Sequence, residues 1–339
     1  MTEIRRDPVT LRRVIVVPGR SARPNEHAAT PPVVPSSAEC PFCEGNEART
    51  PPEVAVVAEA GRRPNERGWQ VRVIPNRFPT VSSDSTAPAA PSGPEVLERV
   101  PAFGFHEVLI ESPSHSPILP FLPREQVVRV LRMARDRVRD LARRSSVGSV
   151  TLFENTGPES GGSLWHPHAQ LVTTAGLSPS LEEELAGSER LRERLPAGCA
   201  FEWAREEETR DRTRVVFESP GFVGYCPFAS IYPYEVRLFP RRHASSFAEV
   251  TDEEVDDLAD RLPAVLRALL AVVPGASYNY VVRSPVREGS DRDRYHWHLD
   301  LYPRLIRPDG FDVGSEFHVN FVTPEDGARN LRTELGAKL

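Results

Sequence analysis

Sulfur is scarce in this chain: 339 residues include four cysteines and two methionines. Also missing is any uninterrupted apolar run near the ~20 residues that span a bilayer, which argues against a membrane helix. The opening Met1-Thr2-Glu3-Ile4-Arg5-Arg6-Asp7 is charged and lacks the apolar stretch of a secretion signal, so a cytoplasmic protein is expected. Positive charge is not in excess either: the formal net charge is −6, which offers no basic field for a nucleic acid polymer. In a reducing compartment the close pair Cys40 and Cys43 points to a metal before a disulfide. Proline, by contrast, is abundant at 34 residues, as suits short strands joined by irregular turns.

Two segments carry strong helical periodicity. Val127, Val128, Leu131, Ala134, Val138 and Leu141 predict a helix over 124–143, and Val255, Leu258, Leu262, Val265, Leu266 and Leu269 predict another over 252–272. Thr251 and Glu254 form a capping box for the second, and Pro263 should kink it. Leu181 to Leu195 predicts a shorter charged helix. Strands are expected at 13–17, 71–74, 107–111, 150–154, 170–173, 215–218, 235–239, 278–282 and 298–302. Residues 82–94, rich in Ser, Pro and Ala, read as a surface loop.

A weak internal repeat organises these elements. Glu107 precedes His115 by eight positions, and Glu235 precedes His243 by eight. Each copy then reaches a His-x-His, at His166/His168 and His296/His298, after 51 and 53 residues. A helix-plus-sheet unit used twice accounts for both spacings, giving an α+β fold divided at 1–176 and 177–339.

The run Gly161-Gly162-Ser163-Leu164-Trp165-His166-Pro167-His168-Ala169-Gln170 is the richest in chemistry. In an extended strand His166, His168 and Gln170 share one face, as a metal site or a phosphate-handling nucleophile would require. Two surface histidines on an edge strand would explain the pattern without chemistry. Cys40-Pro41-Phe42-Cys43 is half of a tetrahedral zinc site, or else a redox pair or two buried thiols. Grouping it with His115 and His166 completes a closed structural site and leaves His168 free to attack phosphorus. Gly161 and Gly162 would let the backbone approach phosphate oxygens, Ser163 would donate, and Gln170 could hold a phosphoryl oxygen without protonating the leaving group.

Further runs carry a family resemblance. They include Arg5-Arg6-Asp7-Pro8-Val9-Thr10, Gly19-Arg20-Ser21-Ala22-Arg23-Pro24, Val71 to Pro79 around Asn76, Gly104-Phe105-His106-Glu107-Val108, Phe153-Glu154-Asn155-Thr156-Gly157, Cys226-Pro227-Phe228 and Gly310-Phe311-Asp312-Val313-Gly314. With His166-Pro167-His168-Ala169-Gln170 they make the chain resemble the galactose-1-phosphate uridylyltransferases, within the histidine-triad superfamily. The resemblance implies two fused histidine-triad-like units, each an antiparallel sheet with a long helix, paired as a homodimer. It implies ping-pong transfer of UMP from a UDP-hexose, UDP-glucose in particular, to galactose 1-phosphate through a uridylyl-His168, in galactose metabolism. Arg20, Arg23, Asn76, Asn155, Ser163 and Gln170 would then contact nucleotide or phosphate, and Glu316 would lie where the sugar binds. Zinc would take Cys40, Cys43, His115 and His166, with no organic cofactor. A second metal would take Cys199, Glu202, His243 and His296, although a glutamate stands there in place of a cysteine. His298 is read as a remnant of the repeat, and Cys226 as a small buried residue. The alternatives are a nucleotide-sugar phosphorylase of the ADP-glucose type, and a nucleotide-binding module that has lost catalysis.

Overall fold

The computed structural model describes residues 1–19, 37–83, 97, 99–195, 198–286 and 294–336. Arg20 and Arg23 fall outside these residues, as does most of the loop expected at 82–94. The strands are β1 (Glu3–Arg6), β2 (Arg13–Val16), β3 (Ala55–Ala58), β4 (Trp69–Pro75), β5 (His106–Ile110), β6 (Ser149–Thr156), β7 (His168–Thr174), β8 (Val215–Glu218), β9 (Phe222–Tyr225), β10 (Val236–Pro240), β11 (Tyr278–Pro285), β12 (Leu299–Pro303) and β13 (His318–Asn320). The helices are α1 (Arg124–Ala142), α2 (Pro179–Arg192), α3 (Ala200–Thr209), α4 (Asp252–Val272), α5 (Gly310–Ser315) and α6 (Pro324–Leu335).

Ten strands make one antiparallel sheet in the order β3-β4-β5-β7-β6-β11-β12-β10-β9-β8. Outward from its centre, the first half reads β6-β7-β5-β4-β3 and the second β11-β12-β10-β9-β8. These are the same connections twice, with α1 and α4 at the same place in each. The repeat seen in the histidine spacing is therefore a repeat of topology. The halves join through β6 and β11, which pair over eight residues from Tyr278↔Thr156 to Pro285↔Ser149. A separate three-stranded sheet pairs β1 with β2 and β2, in parallel, with β13. That pairing ties the start of the chain to its last quarter and crosses the division at 176/177.

The long helices form where expected. The α1 stripe of Val127, Leu131, Ala134, Val138 and Leu141 is buried, and so is that of α4. Burying such a side chain contributes about 1.5–3 kcal/mol. An exposed pair between the two helices, Arg124 with Asp260, contributes little in comparison. Apolar burial thus fixes the α1–α4 packing. The Thr251–Glu254 capping box is present in both directions. Helix α4 runs on through Pro263, whose missing N–H is tolerated in a helix held by Leu258, Leu262, Val265 and Leu266 in the core.

Some elements escaped the sequence pattern. β1, β3, β9 and β13 are only three or four residues long, and α3, α5 and α6 are short or polar, so none offers a long periodic signal. The repeated glutamates have separate structural roles. Glu107 holds the buried Arg137 guanidinium with both oxygens, at 2.7 and 2.9 Å. Glu235 instead accepts from the N–H groups of Ile231 and Tyr232, and burial pushes its carboxyl up to about 8.

Candidate active site and metal groups

Strand β7 begins at His168, two residues later than full alternation through His166 requires. Pro167 has no N–H to extend the ladder, so the chain bends there and only His168 and Gln170 share the strand face. His166 is nonetheless buried beside His168, and Phe42 packs edge-on against both rings, at 6.0 and 5.2 Å between centroids.

The bend has a chemical consequence. The His166 carbonyl turns to His168 Nδ1 at 2.7 Å, so in the neutral ring Nδ1 carries the proton and Nε2 the lone pair. Burial lowers the His168 pKa, which favours that neutral form. Ahead of the ring lies a small cavity lined by Ile118, Asn155, Thr156, Gly157, Leu164 and Trp165. Gly157 and Gly161 take left-handed φ values of 86° and 85°; at Gly157 a Cβ would also meet Ser277 Oγ at 2.4 Å. Asn155, on β6, accepts at Oδ1 from Asn279 Nδ2 at 2.6 Å, and Ser163 is exposed on the loop between β6 and β7. Gln170 faces His106 and Asn76 across β5. His106 Nε2 lies 2.8 Å from Gln170 Oε1, and Asn76 Nδ2 lies 3.5 Å from it. Glu316 sits elsewhere, exposed in a left-handed conformation at the end of α5.

The sequence assigns His106 no role: it stands one residue before the strand expected at 107–111, inside the run Gly104-Phe105-His106-Glu107-Val108. Its partner is a diagonal neighbour across two strands: Val108 pairs with Gln170 and His106 with Val172. A one-dimensional pattern does not reveal that pairing.

The first metal group assembles as expected. Cys40, Cys43, His115 and His166 bring one donor atom each within 4.8 Å of one another. His166 Nδ1 lies 3.7 Å from Cys40 Sγ and 3.6 Å from Cys43 Sγ, while His115 Nδ1 lies 3.5 Å from Cys43 Sγ. Zinc bond lengths place sulfur and nitrogen ligands about 3.5 Å apart across a tetrahedron, so the group has the right size. His166 Nε2 donates to the Ser112 carbonyl at 2.7 Å, which leaves Nδ1 as its ligand atom. Burial and the neighbouring Cys40 push the Cys43 thiol up to about 11. Two adjacent thiolates need a cation, and these residues fit one.

The second group is the repeat-related copy. Cys199, His243 and His296 converge within 4.8 Å. Glu202 Oε1 stands 3.6 Å from His243 Nδ1 and 3.8 Å from His296 Nδ1. Both ring nitrogens of the fully buried His296 lack hydrogen-bond partners. Such a ring is costly unless a ligand satisfies it, so a metal fits here as well. Cys226 takes no part; it is buried in the core.

The second His-x-His keeps the geometry and loses the opening. His298 Nδ1 lies 3.0 Å from the His296 carbonyl, just as His168 addresses His166. But His298 is sealed from solvent, and Asp300 stands where Gln170 stands in the first copy. Burial works against the charge of Asp300, yet Arg237, His298 and Arg283 hold its carboxyl well below the usual range. Arg237 Nε donates at 2.7 Å and Arg283 Nη1 at 3.0 Å. An ion-pair network occupies this position in the second copy.

The sequence profile of the galactose-1-phosphate uridyl transferase N-terminal domain matches residues 2–177. The chain belongs to that family. It is 30% identical over 334 residues to the ADP-glucose phosphorylase of Arabidopsis thaliana, covering 97% of this chain and 92% of that protein. The galactose-1-phosphate uridylyltransferase of Thermotoga maritima is 28% identical over 98% of each chain. Among solved structures, the Arabidopsis thaliana ADP-glucose phosphorylase with bound ADP-glucose superposes with a TM-score of 0.81 at 28% identity, covering 100% of both chains. A uridylyltransferase structure superposes at 0.74, also at 28% identity, over 99% of each. The family accounts for the paired histidine-triad-like units and makes the protein an enzyme of nucleotidyl transfer on sugar phosphates. Among the described residues no helix is long and apolar enough to cross a membrane.

Proposed function

We propose that the enzyme moves a nucleoside monophosphate from a nucleotide sugar to a phosphate-bearing acceptor through a nucleotidyl-His168 intermediate. One observation carries the reading: His168 donates Nδ1–H to the His166 carbonyl and so presents Nε2 as a lone pair. In the first half-reaction Nε2 attacks the α-phosphorus. A P–N bond forms, the bond from the α-phosphorus to the bridging oxygen breaks, and the sugar 1-phosphate leaves with that electron pair. In the second, an acceptor phosphate oxygen attacks the same phosphorus and returns the electron pair to Nε2. Asn155, Ser163 and the Gln170 amide would hold phosphoryl oxygens, Arg20 and Arg23 would supply positive charge, and Glu316 would meet the sugar.

Zinc is the metal proposed for Cys40, Cys43, His115 and His166, and a second zinc for Cys199, Glu202, His243 and His296. Bound at the first group it would supply rigidity, since four protein ligands leave no open position. Its ligand His166 carries the carbonyl that sets the His168 tautomer. Assembly as a homodimer and a division into units 1–176 and 177–339 belong to the same proposal.

For the substrates, the similarity to ADP-glucose phosphorylase over nearly the whole chain supports ADP-glucose as donor and inorganic phosphate as acceptor. The family profile and the relatives at 28% identity support the second reading, UDP-glucose with galactose 1-phosphate. Incubation with each donor in turn, followed by mass analysis of the peptide holding His168, separates them. An added AMP from ADP-glucose supports the first, and an added UMP from UDP-glucose the second. No adduct with either donor, in protein that holds zinc, would overturn the covalent route.

A further inference from the structure

Gln170 lies beside His168 on one strand face, and its amide has two chemically opposite ends. Only the NH2 end donates to a phosphoryl oxygen; the carbonyl end would repel one. Which end faces the substrate depends on what holds the amide from behind, and there the structure is specific.

The Thr80 backbone N–H donates to His106 Nδ1 at 3.1 Å. That nitrogen therefore carries the lone pair, and Nε2 carries the proton of the neutral ring. Burial lowers the His106 pKa and so favours the neutral form. Nε2–H then donates to Gln170 Oε1 at 2.8 Å. Asn76 is oriented independently: its Oδ1 accepts from the Phe78 N–H at 2.8 Å, which leaves Nδ2 toward Gln170. The 3.0 Å approach of Asn76 Nδ2 to His106 Nε2 is that of two donors flanking one acceptor oxygen. With Oε1 held by both, the Gln170 NH2 is left facing the open side of the strand.

We infer that His106 is a positioning residue whose Nε2–H fixes the Gln170 amide with its NH2 toward the phosphoryl group carried by His168. This rests on the nucleotidyl-His168 reading. It also revises the expectation for Asn76, whose amide supports Gln170 from behind.

A double-mutant cycle tests the inference by measuring nucleotidylation of His168 with the donor that labels the wild type. His106→Phe keeps a ring and removes both nitrogens. It is expected to slow nucleotidylation roughly 10- to 100-fold, with a much smaller change in donor KM. In a Gln170→Ala background the same change should cost nothing further. His106→Gln, which keeps a donor near the position of Nε2, should recover most of the rate. Should His106→Phe not fold, His106→Asn, too short to reach Gln170, takes its place in the cycle. An equal cost with and without Gln170 would overturn the inference, as would a full rate in His106→Phe. A wild type that forms no adduct would remove the reading beneath it.

Discussion

His168 Nδ1 and the His166 carbonyl oxygen lie 2.7 Å apart, and this contact joins the proposed metal ligand to the proposed nucleophile. Through it the carbonyl of the proposed ligand sets the tautomer of the proposed nucleophile. Replacing His168 with Asn should therefore abolish the nucleotidyl adduct and lower turnover at least on the order of 10⁴-fold. The thermal midpoint should stay near that of the wild type, since the ring packs mainly on Phe42 and a small cavity. An adduct that persists in His168→Asn would place the nucleophile elsewhere.

Cys40→Ser is expected to show the opposite balance. It removes a ligand from a buried group whose remaining thiol and imidazoles then lack their cation. Zinc content should fall by one equivalent per chain, and stability should drop by more than about 3 kcal/mol. Atomic absorption alongside thermal melting checks both. A stable variant with unchanged zinc would show that the four residues hold no metal.

The second group predicts a metal count. The wild type should carry two zinc equivalents per chain, and His296→Ala one, with adduct formation at His168 retained. One equivalent in both proteins would show that Cys199, Glu202, His243 and His296 merely pack together.

A pH dependence follows from Glu53, which lies between Arg62 and Arg72 with contacts of 2.7 and 2.9 Å. Burial opposes its charge, but hydrogen bonds from Arg62, the Asn65 N–H and Arg72 outweigh it and hold the carboxyl at about 2. The folded value lies below the unfolded one of about 4.3, so the ionised group stabilises the fold above that pH. The stabilisation is lost as pH falls from roughly 5 toward 2. Glu53→Gln should cost about 3 kcal/mol near neutrality, because it leaves two guanidiniums without their counter-charge. It should also flatten the acid limb in urea titrations across pH. An acid limb identical to that of the wild type would remove Glu53 from the account.

Much of this enzyme could be read in one dimension. The apolar stripes of α1 and α4 have a local period, and burial of one face is enough to make such a segment a helix. The eight-residue Glu–His spacing and the two His-x-His runs disclosed the repeat, because both copies inherit the same connections. Cys40, Cys43, His115 and His166 could be grouped by that repeat and by ligand chemistry.

What the sequence did not hold are relations set by which strands become neighbours. His106 reaches Gln170 only because β5 lies beside β7, and Asn76 joins them only because β4 lies beside β5. The sealing of His298 required Arg237 and Arg283, from β10 and β11, to meet at Asp300 on β12. The strand expected through His166 failed for a local reason, the missing N–H of Pro167, yet only the fold shows that the resulting bend aims a carbonyl at His168. The sequence by itself determined the candidate metal donors, the repeat and the histidine proposed as nucleophile, since these depend on residue type and spacing. Tertiary structure decided the Gln170 amide orientation and the closing of His298, because these depend on partners brought from other strands, and it decided the His168 tautomer through the course of the backbone at Pro167.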